Sequence, residues 1–280
     1  MDTQRKTWFV TGCSQGIGLE LVNQLLAAGY NVAATARNLD TLKKAVGNTS
    51  AQFLPLQVDL NDETSIAKAV DATIVQFKSI DVLVNNAGYG LIGGIEETSA
   101  KEAQAIFDIN VFGLLNVTRA ILPHMRAAGS GRIFNLSSVF GLIAGAGWGL
   151  YCGSKFAVEG ISEALAQEVQ PFGIQVTIIE PGYVRTNFLS SGSITVPEHP
   201  IAAYSAIQED KRKHKEEVPG TQLGDPAKLA AVIIATSTAA EAPLRLLLGS
   251  DALQFANYKI DMLQQGIAAN REVTLSTDFK

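Results

Sequence analysis

A tyrosine and a lysine lie four residues apart, at Tyr151 and Lys155, in a segment that is expected to be helical. Side chains at this spacing share one face of a helix, so the phenol and the ammonium are expected to lie close together. A free tyrosine has a pKa of about 10, too high for efficient proton transfer at neutral pH, and a nearby ammonium favours the phenolate. The pair therefore predicts a proton donor and acceptor at Tyr151, in a site that is at least partly dry.

A second feature with chemical meaning is a loop with glycines at Gly12, Gly16 and Gly18, placed between the first apolar run and the first helical pattern. Glycine permits a tight turn, a close approach of the backbone to a pyrophosphate, and close packing of helix on strand. The helix that follows offers free N–H groups and a positive dipole end to phosphates. A plain turn between strand and helix is the alternative, but the position in the first strand–helix unit favours nucleotide binding.

The end of the second apolar run predicts which dinucleotide would bind. An acidic residue here, about 20 residues past the loop, would bind a ribose 2′-hydroxyl. The chain instead has Ala36 followed by Arg37, and a guanidinium matches the geometry of a 2′-phosphate. The alternative is a surface arginine near Asp40, itself a candidate helix N-cap. We therefore expect NADP(H) as the cofactor, although Gln15 leaves the glycine loop without a second basic residue.

The elements that must position these residues alternate along the chain. Apolar runs too short for helices predict strands over Trp8–Val10, Val32–Thr35, Phe53–Val58, Val82–Val84, Ile133–Leu136, Val176–Ile179 and Arg245–Leu248. Periodic segments predict helices over Ile17–Ala28, Glu63–Phe77, Lys101–Met125, Ser154–Val169 and Ala227–Ser237. This alternation indicates an α/β protein in which residues 1–280 form a single dinucleotide-binding and catalytic domain. The expected architecture is a Rossmann fold, with a doubly wound seven-stranded parallel sheet and helices on both faces.

Two stretches interrupt the alternation. Residues 187–225 lack clear periodicity and are expected to be an irregular insertion that acts as a substrate lid. Within it, the charge run Lys211–Glu217 is expected to be the solvated face of a helix. Residues 251–280 are expected to form an amphipathic helix over Asp251–Ala269 and a polar tail.

Composition excludes several classes of protein. Of the 280 residues, 47% are hydrophobic and 18% are charged, which is too apolar for a disordered chain. The net charge of −5 argues against a nucleic acid or an anionic membrane as partner. The only cysteines, Cys13 and Cys152, provide no disulfide framework, and no apolar stretch is long enough for a signal or a spanning helix. A cytoplasmic protein with no membrane partner is therefore expected, and the three scattered histidines predict no metal site.

In order and spacing, the motifs resemble those of the short-chain dehydrogenase/reductase family over roughly the first 250 residues. The further motifs that carry the resemblance are Asp59-Leu60, Asn85-Asn86-Ala87-Gly88, Asn110, Ser138, the Y-x-x-x-K pair and Pro181-Gly182. Within the family, Tyr151–Gly160 and Leu275–Phe279 are similar to the hydroxysteroid and retinol dehydrogenase-like branch. The expected strand order in this family is 3-2-1-4-5-6-7.

The resemblance implies a set of site residues. The catalytic ones would be Asn110, Ser138, Tyr151 and Lys155. The cofactor-binding ones would be Gly12, Ser14, Gln15, Gly16, Ile17, Gly18, Arg37, Asp59, Leu60, Asn86, Ala87, Gly88, Tyr151, Lys155, Pro181, Gly182, Val184 and Thr186. In the family, the tyrosine protonates a carbonyl oxygen while hydride reaches the carbon, the serine binds that oxygen, the lysine holds the nicotinamide ribose, and the asparagine anchors a water. The spacing to Tyr151 favours Ser138 over its neighbour Ser137.

The expected substrate is a small molecule with a carbonyl or alcohol group, neutral and hydrophobic, since the residues expected nearest Ser138 and Tyr151 are mostly apolar or aromatic. Its binding residues would be Ser138, Phe140, Trp148, Tyr151, Tyr183 and Phe188. The family also implies a homodimer or homotetramer. The alternative function is a non-catalytic regulator that binds NADP(H) on the same fold, although proteins of that kind usually lose the tyrosine or the lysine, which this chain keeps.

Overall fold

A computed structural model describes residues 5–189 and 192–279, in which seven parallel strands form one twisted sheet. The strands, in chain order, are β1 Thr7–Val10, β2 Asn31–Ala36, β3 Phe53–Gln57, β4 Val82–Asn85, β5 Gly90–Leu91, β6 Gly131–Leu136, β7 Ile174–Pro181, β8 Ile194–Thr195 and β9 Arg245–Leu248. The sheet order is β3-β2-β1-β4-β6-β7-β9, while β5 and β8 pair separately. Counted within the main sheet alone, this is the expected order 3-2-1-4-5-6-7, and the predicted Rossmann-like fold is confirmed.

Helices cover both faces of the sheet because the side chains of each strand alternate between the faces. The helices are α1 Gly16–Ala27, α2 Leu39–Val46, α3 Glu63–Phe77, α4 Ala100–Phe107, α5 Leu114–Ala128, α6 Gly149–Val169, α7 Ser205–Glu216, α8 Pro226–Ser237, α9 Ser250–Ala269 and α10 Arg271–Leu275. In β1, Trp8 and Val10 belong to the core shared with α1 and α8, whereas Phe9 packs with α3 and α5. Burying side chains of this kind stabilises the fold by about 1.5–3 kcal/mol each.

Helix α2 begins one residue earlier than its predicted cap. Asn38 is the N-cap, and its side chain accepts a hydrogen bond of 2.8 Å from the backbone N–H of Thr41. The prediction that Asp40 caps this helix was therefore wrong, because Asp40 already lies inside its first turn. An acidic residue there still interacts favourably with the positive end of the helix dipole.

The predicted helix Lys101–Met125 is a longer helical run, with α4 and α5 joined by a π-helical turn over Asp108–Gly113. The run Ala100–Ala128 is long and apolar enough to cross a membrane by length and composition, since its most apolar 18 residues have a mean hydropathy of 1.5. The expectation that no segment reaches this length was therefore wrong. A buried core helix meets the same criteria, however, and Val117 and Ile121 of this run are fully buried beside the sheet.

The segment 187–225 is more regular than expected, because it contains β8 and the twelve-residue helix α7. The sequence indicated only the end of α7, through the charge run Lys211–Glu217, because nearly all the residues of this helix are polar and His214 is its one buried residue. As expected, the charges of its last turns lie on an exposed helix face, where Arg212 pairs with Glu209, Glu216 and Glu217.

The chain ends in a helix that leaves the body of the protein. Only Ala252 and Ala256 of α9 are buried, whereas Tyr258 and Ile267 are 59% and 70% exposed. The expected helix Asp251–Ala269 is present, but the tail that follows it is partly helical, as α10.

Candidate active site

The glycine loop after β1 has the shape that a pyrophosphate needs. Gly12 and Gly16 have positive φ angles of 71° and 61°, a conformation that favours glycine. A Cβ on Gly12 would lie 2.8 Å from the Cα of Ala87, so the backbone of the loop is packed as closely as glycine allows. The N-cap of α1, Gln15, makes no side-chain capping bond, which leaves the first N–H groups of α1 available to an anion.

Asn86 connects the glycine loop to the end of β4 through hydrogen bonds. Its Nδ2 donates to the carbonyl oxygens of Thr11 and Gly12 at 2.8 and 2.9 Å. The backbone N–H groups of Asn86 and Ala87 both donate to Thr11 Oγ1 at 3.0 Å. Gly18 packs directly against the side chain of Asn86, because a Cβ on Gly18 would be 2.4 Å from Nδ2 of Asn86. Gly18 therefore allows α1 to pack closely against Asn86 and the glycine loop.

A cleft of about 700 Å³ runs along the carboxyl ends of the strands, where ligands bind in open α/β sheets. The predicted cofactor residues that line it are Gly12, Ser14, Gln15, Gly16, Ile17, Arg37, Asp59, Leu60, Asn86, Ala87, Gly88, Tyr151, Lys155, Pro181, Gly182, Val184 and Thr186. The predicted substrate residues also line it: Ser138, Phe140, Trp148, Tyr151, Tyr183 and Phe188. Gly18 and Asn110 are not among the lining residues. One continuous cleft therefore joins the two predicted regions.

Arg37 lies at the rim of this cleft, directly after β2. Its side chain is exposed, and the guanidinium makes no ion pair within the described ranges 5–189 and 192–279. Ala36, by contrast, is buried and brings no charge. The loop, the free N–H groups of α1 and this arginine together fit a dinucleotide.

Tyr151 lies in the first turn of α6, and its side chain is buried at the other end of the cleft. Burial raises the pKa of its phenol above the ordinary value of 10.0, and a hydrogen bond with Ser138 opposes this rise. Ser138 Oγ also accepts a hydrogen bond of 3.1 Å from the backbone N–H of Phe140, which fixes the position of the hydroxyl. An oxygen atom placed beside Tyr151 and Ser138 could therefore receive hydrogen bonds from both.

Ser137 also lines the cleft, but its hydroxyl lies beside Glu159 rather than beside Tyr151. A Cβ on Gly141 would lie 2.5 Å from Ser137 Oγ and 2.7 Å from Glu159 Oε1. The side chains of Ser137 and Glu159 are therefore neighbours, buried next to Gly141. Ser137 Oγ has no hydrogen-bond partner by distance and angle in the described residues. Ser138, not Ser137, is the serine that opposes the rise in the pKa of Tyr151.

Lys155 lies one helical turn after Tyr151, and its ammonium is 5.8 Å from the centre of the tyrosine ring. Its Nζ donates a hydrogen bond of 2.7 Å to the carbonyl oxygen of Leu136 at the end of β6. Burial lowers the pKa of Lys155 from 10.5 to about 8, opposed by the charge of Glu159. A lysine with this pKa can give up and recover a proton near neutral pH.

Asn110 is placed by the π-helical turn, behind the cleft rather than in its wall. Its Nδ2 donates to Tyr89 O at 2.9 Å and to Ser154 Oγ at 3.0 Å, and its Oδ1 accepts from the N–H of Tyr89 at 3.0 Å. Ser154 Oγ in turn donates to the carbonyl oxygen of Tyr151. The asparagine therefore joins α6 to the segment after β4, and π turns of this kind are frequent at functional sites.

Aromatic rings enclose the phenol of Tyr151. The ring centres of Trp148, Phe188 and Phe140 lie 5.7, 6.2 and 6.3 Å from that of Tyr151. Tyr183 lies 6.4 Å from Phe140 on the far side. Tilted and edge-to-face packing of this kind stabilises the rings and keeps water away from the phenol.

The segment 187–225 supplies residues that the sequence did not indicate individually. Ser193, Thr195 and Gln222 line the cleft, and Gln15 Nε2 donates to Ser193 Oγ at 2.7 Å. Tyr89, which follows the predicted Asn86–Gly88 motif, also lines it. No periodicity marks residues of this kind, because loop contacts between distant parts of the chain place them here.

Comparisons with known proteins agree with this geometry. The model of the short chain dehydrogenase family matches residues 6–195. Oxidoreductase BOA17 of Botryotinia fuckeliana is 35% identical over 275 residues, 97% of this chain and 99% of that protein. Retinol dehydrogenase 8 of Bos taurus is 40% identical over 190 residues, 65% of this chain and 60% of that protein.

The fold comparison points the same way. A crystal structure of a short-chain dehydrogenase from Streptomyces avermitilis superposes with a TM-score of 0.90 at 37% identity, covering 98% of this chain and 99% of that one. The resemblance expected from the motifs is thereby confirmed along nearly the whole chain. This chain belongs to the short chain dehydrogenase family, whose members are oxidoreductases that act on alcohol and carbonyl groups.

Proposed function

We propose that this protein is an NADP(H)-dependent ketone reductase and secondary alcohol dehydrogenase. The observation that carries the proposal is the placement of Tyr151, Ser138 and Lys155 at the dry end of a cleft that also holds the glycine loop. A nicotinamide cofactor, when bound, supplies or receives the hydride there. Tyr151 gives the proton to the substrate oxygen, Ser138 donates a hydrogen bond to the same oxygen, and Lys155 restores the proton on the tyrosine.

The preference for NADP(H) is supported by the rim of the cleft at the end of β2. Ala36 provides no carboxylate to bind a ribose diol, and Arg37 offers an unpaired guanidinium among the described residues. A guanidinium binds a phosphate through two parallel hydrogen bonds, which a diol cannot match. The same two residues would therefore favour the phosphorylated cofactor.

The proposed substrate is neutral and hydrophobic. Around Tyr151 the cleft is walled by Phe140, Trp148 and Phe188, and among the described residues Lys155 is the only lysine or arginine that lines this end. A carboxylate placed there would lose its hydration with no arginine to pair with it. The relative retinol dehydrogenase 8 is named for an alcohol of this hydrophobic kind.

The test is the consumption of NADPH with a panel of ketones. We expect turnover with hydrophobic neutral ketones and little with keto acids of the same size. Tight binding of NADPH with no turnover on any ketone or alcohol would support the non-catalytic regulator instead.

The remaining expectations, on the oligomeric state, the cellular location and the lid, are also proposals. Phe112 and Phe156, on the helical elements that carry Asn110 and Tyr151, are 46% and 41% exposed, which supports a homodimer or homotetramer formed through these helices. Light scattering after size exclusion measures the oligomeric state directly.

Cys13 and Cys152 are free, buried thiols, in keeping with a cytoplasmic protein. Residues 187–225 are proposed to act as the substrate lid.

A further inference from the structure

Glu159 extends the buried face of α6 that carries Tyr151 and Lys155. The three residues are spaced four positions apart, and each of them is more than nine-tenths buried. Residues at this spacing in a helix have Cβ atoms about 5–6 Å apart. Glu159 therefore lies one helical turn beyond Lys155, on the side away from Tyr151.

A guanidinium from the edge of the sheet binds the carboxyl group of Glu159. Arg245 on β9 donates from Nη1 to Glu159 Oε2 at 2.6 Å, and the same Nη1 donates to Glu180 on β7. Its Nη2 donates at 2.5 Å to Glu163 Oε1, on the exposed side of α6. Glu159 and Glu180 are both buried, so one guanidinium serves two buried carboxyl groups.

Two buried carboxylates are balanced only with a second positive charge, and Lys155 provides it. Among the described residues, Glu159 is the charged group that opposes the loss of the ammonium proton. Neighbours from other elements are uncharged. Nζ donates to the carbonyl oxygen of Leu136, and a Cβ on Gly88 would lie 3.6 Å from Nζ and 3.1 Å from Asn110 Oδ1. The charge of the lysine is therefore coupled to that of one carboxyl group.

The charge on Glu159 itself depends on pH. Burial raises the pKa of its carboxyl group to about 7, the charge of Glu180 adds to this rise, and Arg245 opposes it. Glu159 is therefore mostly ionised at pH 8 and above and mostly neutral at pH 6 and below. This range overlaps the pKa of Lys155, about 8, whereas the buried phenol of Tyr151 stays protonated throughout it.

We propose that Glu159 is a positioning residue for carbonyl reduction, which keeps the proton on Lys155 under mildly alkaline conditions. The inference rests on the proposed function, in which Lys155 restores the proton of Tyr151. A lysine that has already lost this proton cannot return it. The alternative is a purely structural ion pair, in which Glu159 only joins α6 to the sheet through Arg245. The two alternatives differ in how activity should depend on pH.

The test is the pH profile of kcat/KM for a ketone at saturating NADPH, in wild type and Glu159→Gln. Glutamine has nearly the same shape, so it removes the charge and still accepts a hydrogen bond from Arg245. We expect kcat/KM of Glu159→Gln to be lower by roughly tenfold at pH 8.5, because the pKa of Lys155 falls by about one unit. At pH 6 we expect little change, because the wild-type carboxyl group is then mostly neutral as well. No loss at either pH, or a loss of the same size at both, overturns the inference.

Two further variants separate the charge of Glu159 from its hydrogen bonds. Glu159→Met removes both, and it should show the same loss confined to alkaline pH. Glu163→Gln is the matched control, because Glu163 binds the same guanidinium but is exposed, two helical turns from Lys155. Its pH profile should follow that of wild type. A shift in Glu163→Gln as large as that in Glu159→Gln, or no alkaline loss in Glu159→Met, contradicts the role of Glu159.

The same shift can be measured without turnover, from the free energy of unfolding in urea. With Glu159 present, the stability of the wild type relative to Lys155→Met should rise with pH from about pH 8, where the folded protein begins to release the lysine proton. When both proteins also carry Glu159→Gln, this rise should begin about one pH unit lower. An unchanged onset overturns the inference even if ketones are reduced. The lower onset in a protein that reduces no ketone shows that Glu159 acts on Lys155, and the proposed function fails instead.

Discussion

The ammonium of Lys155 lies 5.8 Å from the centre of the Tyr151 ring, and both side chains are almost completely buried. Burial acts on the two groups in opposite directions, since it raises the pKa of the phenol and lowers that of the amine. Without a ligand, burial thereby shifts each group towards its neutral form, although Lys155, with a pKa of about 8, is still mostly protonated at pH 7. The positive charge of an oxidised nicotinamide beside the phenol would shift this balance towards the phenolate, which couples proton transfer to the state of the cofactor.

The lowered pKa of Lys155 predicts how stability depends on pH. The folded protein releases this proton at about pH 8, whereas the unfolded chain keeps it up to about pH 10.5. Between these values the unfolded state binds more protons, so the stability of the folded state rises with pH. Relative to Lys155→Met, we expect the free energy of unfolding of the cofactor-free wild type to increase by about 2 kcal/mol from pH 8 to pH 10.

Urea unfolding at several pH values measures this difference. Lys228→Met is the control, because Lys228 is exposed on α8 and should leave the wild-type profile unchanged. Raised pKa values elsewhere, such as that of the buried thiol of Cys13, are common to all the variants and cancel in the comparison. Parallel profiles for wild type and Lys155→Met would show that Lys155 is charged and solvated in the folded protein.

Cofactor choice depends on two adjacent residues, Ala36 and Arg37. We expect wild type to favour NADPH over NADH by at least about tenfold in kcat/KM, because charge-assisted hydrogen bonds to a phosphate are strong. Arg37→Ala should erode this preference through a raised KM for NADPH, with kcat little changed, since the rim is far from Tyr151. Adding Ala36→Asp should turn the preference towards NADH, and added salt should weaken the effect of Arg37.

Steady-state kinetics with both cofactors decide the matter. Arg119→Ala is a suitable control, because that arginine is exposed on α5 and, among the described residues, hydrogen-bonds only within its own helix. A wild type that uses NADH as well as NADPH would contradict the assignment of Arg37 and leave the role of Tyr151 untouched.

A buried carboxylate, Glu97, binds the segment 187–225, which is the proposed lid. It accepts hydrogen bonds from the N–H groups of Gly94 and Ile201 and from Gln208 Nε2, each at 2.7 Å. Glu97→Ala should therefore loosen residues 187–225, speeding proteolytic cleavage inside the segment and raising KM for the substrate. In wild type, NADP with an inhibitor should slow the same cleavage if the lid closes over the ligands.

Limited proteolysis with mapping of the cut sites tests both statements. The exposed Glu168 on α6 provides the control variant Glu168→Ala, which should be cleaved like wild type. Cleavage rates inside 187–225 that respond neither to the substitution nor to ligands would remove the basis for calling the segment a lid.

Local patterns in the sequence were sufficient for much of the fold and for the centre of the site. The strand order followed from the family resemblance, and the Tyr151–Lys155 pair depends only on the spacing of one helical turn. The glycine loop is likewise a local motif, since its glycines, Gly12 and Gly16, are needed for their own backbone conformation. Features of this kind are encoded within a few residues, so the sequence shows them directly.

Contacts between distant segments were not visible in the same way. Gln222 and Ser193 reach the cleft only because β8 pairs with β5 and Gly224 pairs with Val184. The first half of helix α7 was missed, although the charge run Lys211–Glu217 was expected to be a helix face, because α7 has almost no apolar periodicity. The π turn at Asn110 was also hidden, because its residues fit an ordinary helix equally well.

The central claim is that the hydroxyl of Tyr151 supplies the proton for carbonyl reduction. Tyr151→Phe removes that one oxygen and keeps the ring between Trp148, Phe140 and Phe188. The most direct measurement is the single-turnover rate of NADPH oxidation by wild type and Tyr151→Phe with the best ketone, alongside NADPH affinity by fluorescence. The account predicts unchanged NADPH binding and a rate lower by roughly a hundredfold to ten thousandfold or more. A near-normal rate in Tyr151→Phe would contradict it.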